Sequence, residues 1–283
     1  MNTLPSLFVS HGAPTFASDP GLAGAQLRAL GLALGKPRAV VVVSPHWMTP
    51  GVAITATARP ETVHDFGGFP RELYTLQYPA PGSPELAVRI QQQLVRQGVP
   101  ARLDARRGLD HGAWVPLMHL YPDADVPVLQ VSLPLDTDEA RAYDLGRALA
   151  PLSQDGVLIV GSGSLTHNLY EFRLGGVQPA AYAQEFSAWV RQAVRDGDAV
   201  RLQQTLQWAP HAARAHPTTD HFLPLLVAAG AAAQPGPVTV LDGGIRHGVL
   251  AMESYVFGRQ LTIDVREPDH VCSFVGAGPA PAQ

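Results

Sequence analysis

The chain has 283 residues, 46% of them hydrophobic and 16% charged, a composition that suits a globular protein with a full core. Its formal net charge of −4 argues against binding to nucleic acid or to an anionic membrane, and no apolar run reaches the roughly 18 residues of a transmembrane helix. The one cysteine, Cys272, excludes an internal disulfide and a multi-cysteine metal site, and the first residues lack the basic segment of a signal peptide, so we expect a cytoplasmic protein.

Apolar runs and helical periodicities alternate along the chain in the order typical of α/β proteins. Strands are predicted at residues 7–9, 40–43, 51–58, 126–132, 157–160, 238–242 and 250–257. Helices are predicted at 21–34, 84–97, 182–196, 200–208 and 221–232, with the start of another at 116–120 and a further helix that is capped by Asp136 or Thr137 and ends at Leu149. The pattern predicts one domain over residues 1–267, with a mixed, mainly parallel central sheet flanked by helices on both faces. A loose tail rich in Gly, Ala and Pro is predicted at 268–283.

Three of the predicted strands are each followed by a histidine. His11 follows strand 7–9, His46 follows strand 40–43, and His167 ends the glycine-rich turn after strand 157–160. Ligands of open α/β sheets bind outside the carboxyl ends of the strands, so these side chains are expected to face one crevice.

A fourth histidine, His221, lies in the first turn of a predicted helix, where the helix dipole disfavours protonation of the ring. Neutral imidazoles are common ligands of zinc and iron(II). The sequence therefore predicts a metal site formed by His11, His46 and His221, with open positions for a substrate and for O₂ or water.

Two histidines are candidates for acid–base chemistry. His167 is either a fourth ligand or a general acid/base, and His111, in a polar loop at 104–114, is placed to hydrogen-bond a substrate oxygen. The glycines at 161–164 lack the lysine of a phosphate-binding loop, which disfavours a nucleotide site. His216 precedes a proline and is expected to lie next to the helix cap rather than on the metal. The remaining histidines are expected to be structural or exposed: His119, His211, His247 and His270.

Six short motifs occur in the order found in one enzyme family. Together they resemble the class III extradiol ring-cleavage dioxygenases of the single-chain DOPA 4,5-dioxygenase (LigB-like) type, over about residues 4–260. Any one motif is weak evidence, whereas six in register are specific. The motifs are SHGAP at 10–14, SPHW at 44–47, HDFGGFP at 64–70, DHGAWVPL at 110–117, GSGSLTHN at 161–168 and HFLPL at 221–225.

The resemblance implies non-haem Fe(II) for catalysis, with Zn(II) often occupying the site in purified proteins. It implies metal ligation by His11, His46 and His221, a second-sphere acid/base role for His167, and a substrate-side role for His111. Better-known members use a glutamate where this chain has His221. Three neutral imidazoles keep the charge of the site nearer +2, which favours a catecholate dianion.

Two loops, at 64–78 and 104–114, are expected to form the wall of the substrate pocket. We expect His64, Phe66 and Trp114 to bind the substrate, because aromatic side chains suit an aromatic ring. Three loop arginines are candidates for pairing with a substrate carboxylate, although arginines in loops are more often solvated: Arg71, Arg106 and Arg107.

The sequence thus predicts an enzyme that opens the ring of a DOPA-like catechol with O₂. One alternative is a zinc-dependent hydrolase, in which His167 is the general base and O₂ is not needed. Another is a catalytically inactive relative that binds a metal or a small molecule. The expected partners are a catechol and O₂, with no nucleic acid and no membrane, and the sequence carries no signal of the oligomeric state.

Overall fold

A six-stranded sheet forms the centre of the protein, which a computed structural model describes at residues 3–176, 178–232, 236–263 and 265. The described strands are β1 (Ser6–Ser10), β2 (Ala39–Val43), β3 (Met48–Thr49), β4 (Val52–Thr55), β5 (Ala101–Asp104), β6 (Val128–Gln130), β7 (Leu133–Pro134), β8 (Val157–Gly163), β9 (Val238–Leu241), β10 (Ile245–Arg246), β11 (Leu250–Ala251) and β12 (Ser254–Phe257). The described α-helices are α1 (Gly21–Leu34), α2 (Pro84–Arg96), α3 (His111–Leu120), α4 (Glu139–Leu149), α5 (Leu169–Arg173), α6 (Ala181–Asp196), α7 (Ala199–Gln203), α8 (Thr205–Trp208), α9 (Ala212–Ala215) and α10 (Leu223–Ala231).

The central sheet has the strand order β6-β2-β8-β1-β12-β9. The pairs formed by β6, β2, β8 and β1 are parallel, whereas β12 runs antiparallel to both β1 and β9. The predicted fold class, a mixed and mainly parallel sheet, is confirmed. Because β2, β8 and β1 are parallel neighbours, the chain segments that carry His46, His167 and His11 leave the sheet at the same edge.

The centre of the sheet is buried because its strands are formed almost entirely by apolar residues. All five residues of β2 are buried, and so are all seven of β8, although the last three residues of β8 are Gly161, Ser162 and Gly163. Strands that are covered on both faces are expected to be continuously apolar rather than alternating. The change to small and polar residues at the end of β8 therefore marks the point where the sheet approaches the functional site.

Helices cover both faces of the sheet, as predicted, and β8 shows how they are placed. Side chains alternate along a strand, so Gly161 and Gly163 face one side while Ser162 faces the other. A Cβ at Gly161 would collide with the carbonyl oxygen of Pro224 in α10, whereas the Ser162 hydroxyl donates a hydrogen bond to the carbonyl of Gly112 in α3. Helices α10 and α3 thus lie on opposite faces of the strand.

Helices α3 and α10 differ from their predicted bounds. His111, predicted in a loop, is the first residue of α3, because the carboxylate of Asp110 accepts a hydrogen bond from the amide of Ala113 and caps the helix. Helix α10 begins at Leu223 rather than at His221, with Pro224 in its first turn, where a missing amide N–H costs little. His221 therefore precedes the N-terminus of the helix rather than lying in its first turn.

Several smaller elements also differ from prediction. The cap of α4 is Asp138, which accepts from the amide of Arg141, rather than Asp136 or Thr137. The predicted helix at 200–208 is divided into α7 and α8, and the predicted strand at 250–257 is divided into β11 and β12. Strand β5, which pairs in parallel with β4, is not among the predicted strands.

The predicted tail at 268–283, with Cys272 and His270, lies outside the described residues. Within the described part of the chain, no helix is both long enough and apolar enough to cross a membrane.

Candidate metal centre

Three histidines from distant parts of the chain meet at the carboxyl ends of the parallel strands. His11 directly follows β1, His46 lies three residues after β2, and His221 lies two residues before α10. Each offers one ring nitrogen, and these nitrogens all lie within 4.8 Å of one another. The Nε2 atoms of His11 and His46 are 3.2 Å apart. These are the three residues that the sequence predicts as metal ligands.

The direction of the His11 ring is fixed by a serine on β8. The Nδ1 atom of His11 lies 3.0 Å from Oγ of Ser162, whose hydroxyl donates to the carbonyl oxygen of Gly112. Because that hydroxyl hydrogen is already engaged, Ser162 accepts from His11, so the proton of the neutral ring is on Nδ1. The lone pair of Nε2 is then free to bind a cation.

The carbonyl of Gly112 is available to Ser162 because of a proline in helix α3. Pro116 is four residues after Gly112 and has no N–H to complete the usual helical hydrogen bond. Gly112 also has to be glycine for steric reasons, since a Cβ there would press against the side chains of Ser44 and His46. Helix α3 can therefore lie directly against the metal-binding loops.

A carboxylate faces each of the other two rings. The Nδ1 atom of His221 donates to Oδ2 of Asp220 at 2.5 Å, which leaves its Nε2 atom with a free lone pair. The Nδ1 atom of His46 lies 3.7 Å from Oδ2 of Asp65, within the reach of an ion pair. Carboxylates behind ligating histidines are a common means of orienting the rings and raising their basicity.

Burial keeps the three rings neutral near neutral pH. It lowers the pKa of His46 to about 4 and that of His221 to about 3, and it lowers the pKa of His11 well below its usual value. The neighbouring histidines lower these values further, while Asp220 acts in the opposite direction on His221. Neutral rings can bind a cation without first losing a proton.

The arrangement fits a divalent transition metal. Two nitrogens that share one metal at about 2.1 Å lie roughly 3.0–3.4 Å apart for bond angles of about 90–109°, a range that includes the observed separation of His11 and His46. Three imidazole donors suit zinc, iron and related metals. Three protein ligands also leave further coordination positions for a substrate and a small molecule.

His111 forms a hydrogen-bonded pair with Asp65. Its Nδ1 atom lies 2.9 Å from Oδ1 of Asp65, and the same oxygen accepts from the His111 backbone amide at 2.9 Å. Burial alone would raise the pKa of Asp65, but these hydrogen bonds outweigh it and lower that pKa to about 2. The carboxylate is therefore ionised, and Nε2 of His111 is free to act on a bound molecule.

His167 and His216 lie close to the trio in different ways. The ring of His167 stacks on that of His221, with centroids 3.5 Å apart and ring planes 7° apart. Burial is the main reason that the pKa of His167 is lowered. His216 is buried and its Nε2 atom donates to the Leu165 carbonyl at 2.9 Å, and it is not one of the three histidines whose ring nitrogens converge.

A cavity of about 200 Å³ opens beside the histidines. His46, His111, His167, His221 and Phe66 are among the residues that line it. The ring of Phe66 meets the edge of His111, with centroids 5.6 Å apart.

Two predicted substrate-binding residues lie behind this wall rather than on it. Trp114 is fully buried, and its indole N–H donates to the carbonyl of Val63 at 2.9 Å. The Nε2 atom of His64 donates to the carbonyl of Leu76 at 3.0 Å. Both rings lie within 6.4 Å of Phe66, centroid to centroid, so they support the loop that carries Phe66.

Comparison with known proteins assigns the chain to a family. Residues 10–258 match the family model described as the catalytic LigB subunit of aromatic ring-opening dioxygenase. The chain is 40% identical to a 4,5-DOPA dioxygenase extradiol of Beta vulgaris over 262 residues, which cover 90% of this chain and 97% of that protein. It is 38% identical to the protein of the same name from Escherichia coli K12, over 90% of this chain and 95% of that protein.

The chain belongs to the aromatic ring-opening dioxygenase family. The resemblance drawn from the six motifs is thereby confirmed, and so are the predicted enzyme class, a metal-dependent extradiol dioxygenase, and its need for a small-molecule substrate and O₂. The fold agrees with a crystal structure of the uncharacterized protein JW3007 from Escherichia coli K12, with a TM-score of 0.71, 33% identity, and coverage of 90% of this chain and 100% of that one. The hydrolase and inactive-binder alternatives gain no support from these comparisons.

Several polar residues of this dioxygenase were not singled out from the sequence. Asp220 adjoins His221 and Asp65 lies in the motif at 64–70, so proximity in sequence was an available signal for both. Ser162 had no comparable signal, because its importance depends on which face of β8 it occupies. Arg107, one of the three candidates for pairing with a substrate carboxylate, donates to Asp110 at 3.0 Å and to the carbonyl of His46 at 3.1 Å.

Proposed function

We propose that this dioxygenase uses Fe(II), held by His11, His46 and His221, to cleave the ring of a catechol beside its diol. The observation that carries the proposal is the set of three buried imidazoles whose Nδ1 atoms face Ser162, Asp220 and Asp65. The names of the relatives from Beta vulgaris and Escherichia coli, both 4,5-DOPA dioxygenases, support a catechol as the substrate class.

The metal would supply two kinds of chemistry when bound: Lewis-acid activation of the catechol oxygens and electron transfer to O₂. Zn(II) fits the same three nitrogens but has no accessible redox change, so it organises a substrate without supporting oxidation. The three ligands are themselves neutral, so the cation keeps a local positive charge that favours an anionic catecholate, with the carboxylates behind the rings, Asp220 and Asp65, offsetting part of it.

We assign His111 to the substrate side of the reaction. Its Nδ1–H is committed to Asp65, so its Nε2 atom, facing the cavity, accepts a proton from a catechol hydroxyl. The ionised carboxylate of Asp65 stabilises the imidazolium that this transfer creates. The pair thus helps to form the catecholate.

We assign His167 to proton transfer at the opposite side of the trio. Its ring lines the cavity and is held parallel to His221 by stacking. Burial makes it a neutral base at neutral pH, and once protonated in the reaction it is a ready proton donor, because its burial disfavours the charged form. His167 is therefore suited to deliver a proton as the ring opens.

The substrate ring is proposed to lie against Phe66. Stacking or edge contacts between aromatic rings contribute about 0.5–1.5 kcal/mol beyond the burial of apolar area. His64 and Trp114 take part by holding the Phe66 loop in place, through their hydrogen bonds to Leu76 and Val63. The catalytic domain is proposed to cover residues 1–267, and a cytoplasmic location stays a prediction.

The test is anaerobic reconstitution with Fe(II), followed by air and a panel of catechols that includes DOPA. We expect O₂ uptake and a yellow ring-opened chromophore with Fe(II), and neither with the Zn(II)-loaded protein. Absence of product and of O₂ uptake across the panel, with Fe(II) demonstrably bound, would instead favour the hydrolase or the inactive binder. The variant His167→Ala is expected to retain metal and lose turnover, and normal turnover would remove His167 from the mechanism.

A further inference from the structure

His46 is held less closely through its ring than the other two proposed metal ligands. The Nδ1 atoms of His11 and His221 have hydrogen-bond partners at 3.0 and 2.5 Å. The Nδ1 atom of His46 lies 3.7 Å from Oδ2 of Asp65, which is longer than a hydrogen bond. The position of the His46 ring therefore depends more strongly on the main chain of His46 itself.

The main-chain carbonyl of His46 is bound by Arg107. The Nη2 atom of Arg107 donates to that oxygen at 3.1 Å and to Oδ2 of Asp110 at 3.0 Å, with one hydrogen for each. The guanidinium also lies 5.4 Å from the ring centre of Trp47, the residue that follows His46. One nitrogen thus connects the loop that carries His46 to the carboxylate of Asp110.

Asp110 is fully buried and is fixed to the sheet by a glutamine. Its Oδ2 atom also accepts from Nε2 of Gln130 at 2.7 Å, and Oε1 of Gln130 accepts from the amide of Asp110 at 2.9 Å. Gln130 belongs to β6, and its own amide donates to the hydroxyl of Thr55 in β4 at 2.8 Å. A buried network with satisfied hydrogen bonds is rigid, so Asp110 has little freedom to move relative to these strands.

The same carboxylate sets the position of His111. Its Oδ1 atom accepts from the amide of Ala113 at 3.2 Å and caps helix α3, in which His111 is the first residue. The rings of His111 and His46 are in contact, with centroids 4.0 Å apart. Asp110 therefore anchors one of these rings through its helix and the other through Arg107.

We infer that Arg107 is a positioning residue of the reaction, which sets the spacing between the metal-binding ring of His46 and the ring of His111. This role rests on the proposed function, because it takes His46 to bind the metal and His111 to accept a proton from the catechol. Such a role does not depend on the substituent of the catechol. A direct contact between Arg107 and a substrate carboxylate would instead affect only those catechols that carry one.

The variants Arg107→Met and Arg107→Lys test this role through metal affinity. Methionine leaves the His46 carbonyl without its donor, so Zn(II) binding to the folded protein is expected to weaken by about tenfold or more. Lysine is expected to recover part of this loss, because one ammonium can donate to both oxygens. Chelator competition would measure the affinities. Arg89→Gln, which removes an exposed partner of Asp155, is the control and is expected to leave Zn(II) affinity unchanged.

The urea unfolding of the metal-free variants distinguishes positioning from a role in folding alone. A folding role would lower the free energy of unfolding and leave the Zn(II) affinity of folded Arg107→Met unchanged, which would overturn the inference. If Arg107→Met does not fold, the double variant Arg107→Met/Asp110→Ser removes the buried charge as well, and serine still caps α3. The same weakening of Zn(II) binding is expected there, and natural affinity would overturn the inference.

Turnover by the Fe(II)-loaded protein separates positioning from contact with the substrate. DOPA carries a carboxylate, whereas 4-methylcatechol does not. Arg107→Met is expected to lower kcat for both compounds by similar factors, with little change in either KM, because the loss is in the alignment of the reacting groups. A rise in KM for DOPA alone would show that Arg107 binds the substrate carboxylate and would overturn the inference.

The two measurements also keep this inference separate from the proposed function. Absence of ring-opened product from the natural Fe(II)-loaded protein would contradict the proposed function. The Zn(II) affinities of the Arg107 variants would still decide whether Arg107 positions the metal centre.

Discussion

At the scale of single residues, the group at Nδ1 sets the direction of each imidazole in the metal centre. Two of these groups are carboxylates, Asp220 and Asp65, and the third is the neutral hydroxyl of Ser162. A hydroxyl can donate or accept, so its effect on His11 depends on where its own hydrogen points. In this protein the carbonyl of Gly112 takes that hydrogen.

Replacement of Ser162 by alanine is expected to weaken metal binding by about 10–100-fold, because the His11 ring loses the partner that fixes its orientation. Metal affinity would be measured by competition with a chelator, alongside urea unfolding of the metal-free protein. Ser164→Ala is the matched control, because it removes a buried hydroxyl that bonds to the Thr166 carbonyl rather than to a metal-binding ring. Equal affinities for the two variants would contradict the proposed role.

His216 is expected to make stability depend on pH. Burial lowers its pKa to about 4, against about 6.5 in the unfolded chain, although its bond to the Leu165 carbonyl acts the other way. Between pH 6.5 and 4 the unfolded state therefore binds this proton more readily, so the free energy of unfolding falls as the pH falls. Above pH 6.5 the ring is neutral in both states and this effect is absent.

The variant His216→Gln is expected to reduce that slope by up to one proton, or about 1.4 kcal/mol per pH unit. Urea unfolding at several pH values between 4 and 7 would measure the difference from the natural protein. His211→Asn is the control, because His211 is exposed and pairs with Glu185. Identical slopes for the natural protein and His216→Gln would mean that His216 does not contribute to the pH dependence.

At the scale of secondary-structure elements, the metal centre depends on how closely α10 approaches β8. Gly161 on the strand lies against the carbonyl of Pro224, and Gly163 lies against the carbonyl of His221 itself. The amide of Ser164 also donates to that His221 carbonyl, at 2.9 Å. The position of the third ligand is therefore set by backbone-to-backbone packing.

Replacement of Gly161 by alanine is expected to destabilise the protein by about 1–3 kcal/mol, because the added methyl group collides with backbone that cannot turn away. The displaced helix would also move His221 and weaken Zn(II) binding. Urea unfolding and chelator competition would measure the two effects. Gly176→Ala, where the added methyl group meets only ordinary contacts, is expected to change neither. Undiminished Zn(II) affinity in Gly161→Ala would show that the strand–helix contact does not position the ligand.

The sequence predicted those parts of the fold that depend on local pattern. The valines of β2 and the periodicity of α1 specify their elements directly, and α1 has the predicted bounds. The start of α3 was missed because Pro116 suggested a helix that began there, whereas the cap at Asp110 sets the true start. Strand β5 was missed because its residues, Ala101–Asp104, become a strand by pairing with β4, a contact between distant segments.

The metal ligands of the candidate site were also predicted from the sequence, but their partners were not. His11 and His46 followed from their positions after strands, and His221 from its predicted place at the start of a helix. The neutrality of the three rings rests mainly on burial, which a sequence alone does not reveal. Asp65 and Ser162 could not be recognised from the sequence as partners of the histidines. Their contacts depend on how a loop and one face of β8 meet the histidines in the folded chain.

At the scale of the whole molecule, the metal centre joins distant parts of the chain. His11 and His46 come from the first two strands of the sheet, and His221 comes from the segment before α10, so the unfolded chain does not assemble the site. A metal that binds only the folded state stabilises it by an amount that grows with the logarithm of the free metal concentration above its dissociation constant.

Loading with Zn(II) is therefore expected to raise the free energy of unfolding by about 2.7 kcal/mol when the free metal is at 100 times its dissociation constant. A chelator should reverse the gain, as measured by urea unfolding at several metal concentrations. His11→Ala is expected to abolish the dependence on metal, whereas His119→Ala, which removes a ring that bonds to the Phe16 carbonyl, should retain it. A metal-dependent gain that persists in His11→Ala would place the binding site elsewhere.

Pro116 in α3 has a consequence for any redesign of this protein. Helix propensity alone favours alanine over proline in a helix interior by about 3 kcal/mol, so replacement of Pro116 by alanine would be expected to stabilise the protein. That change would give the Gly112 carbonyl an amide donor within its own helix, in competition with the Ser162 hydroxyl. A hydroxyl released in this way could turn to donate to His11, which would favour the tautomer with its proton on the metal-facing nitrogen. An idealised helix would thus be obtained at the expense of metal affinity, so irregular backbone next to a metal centre should be left as it is.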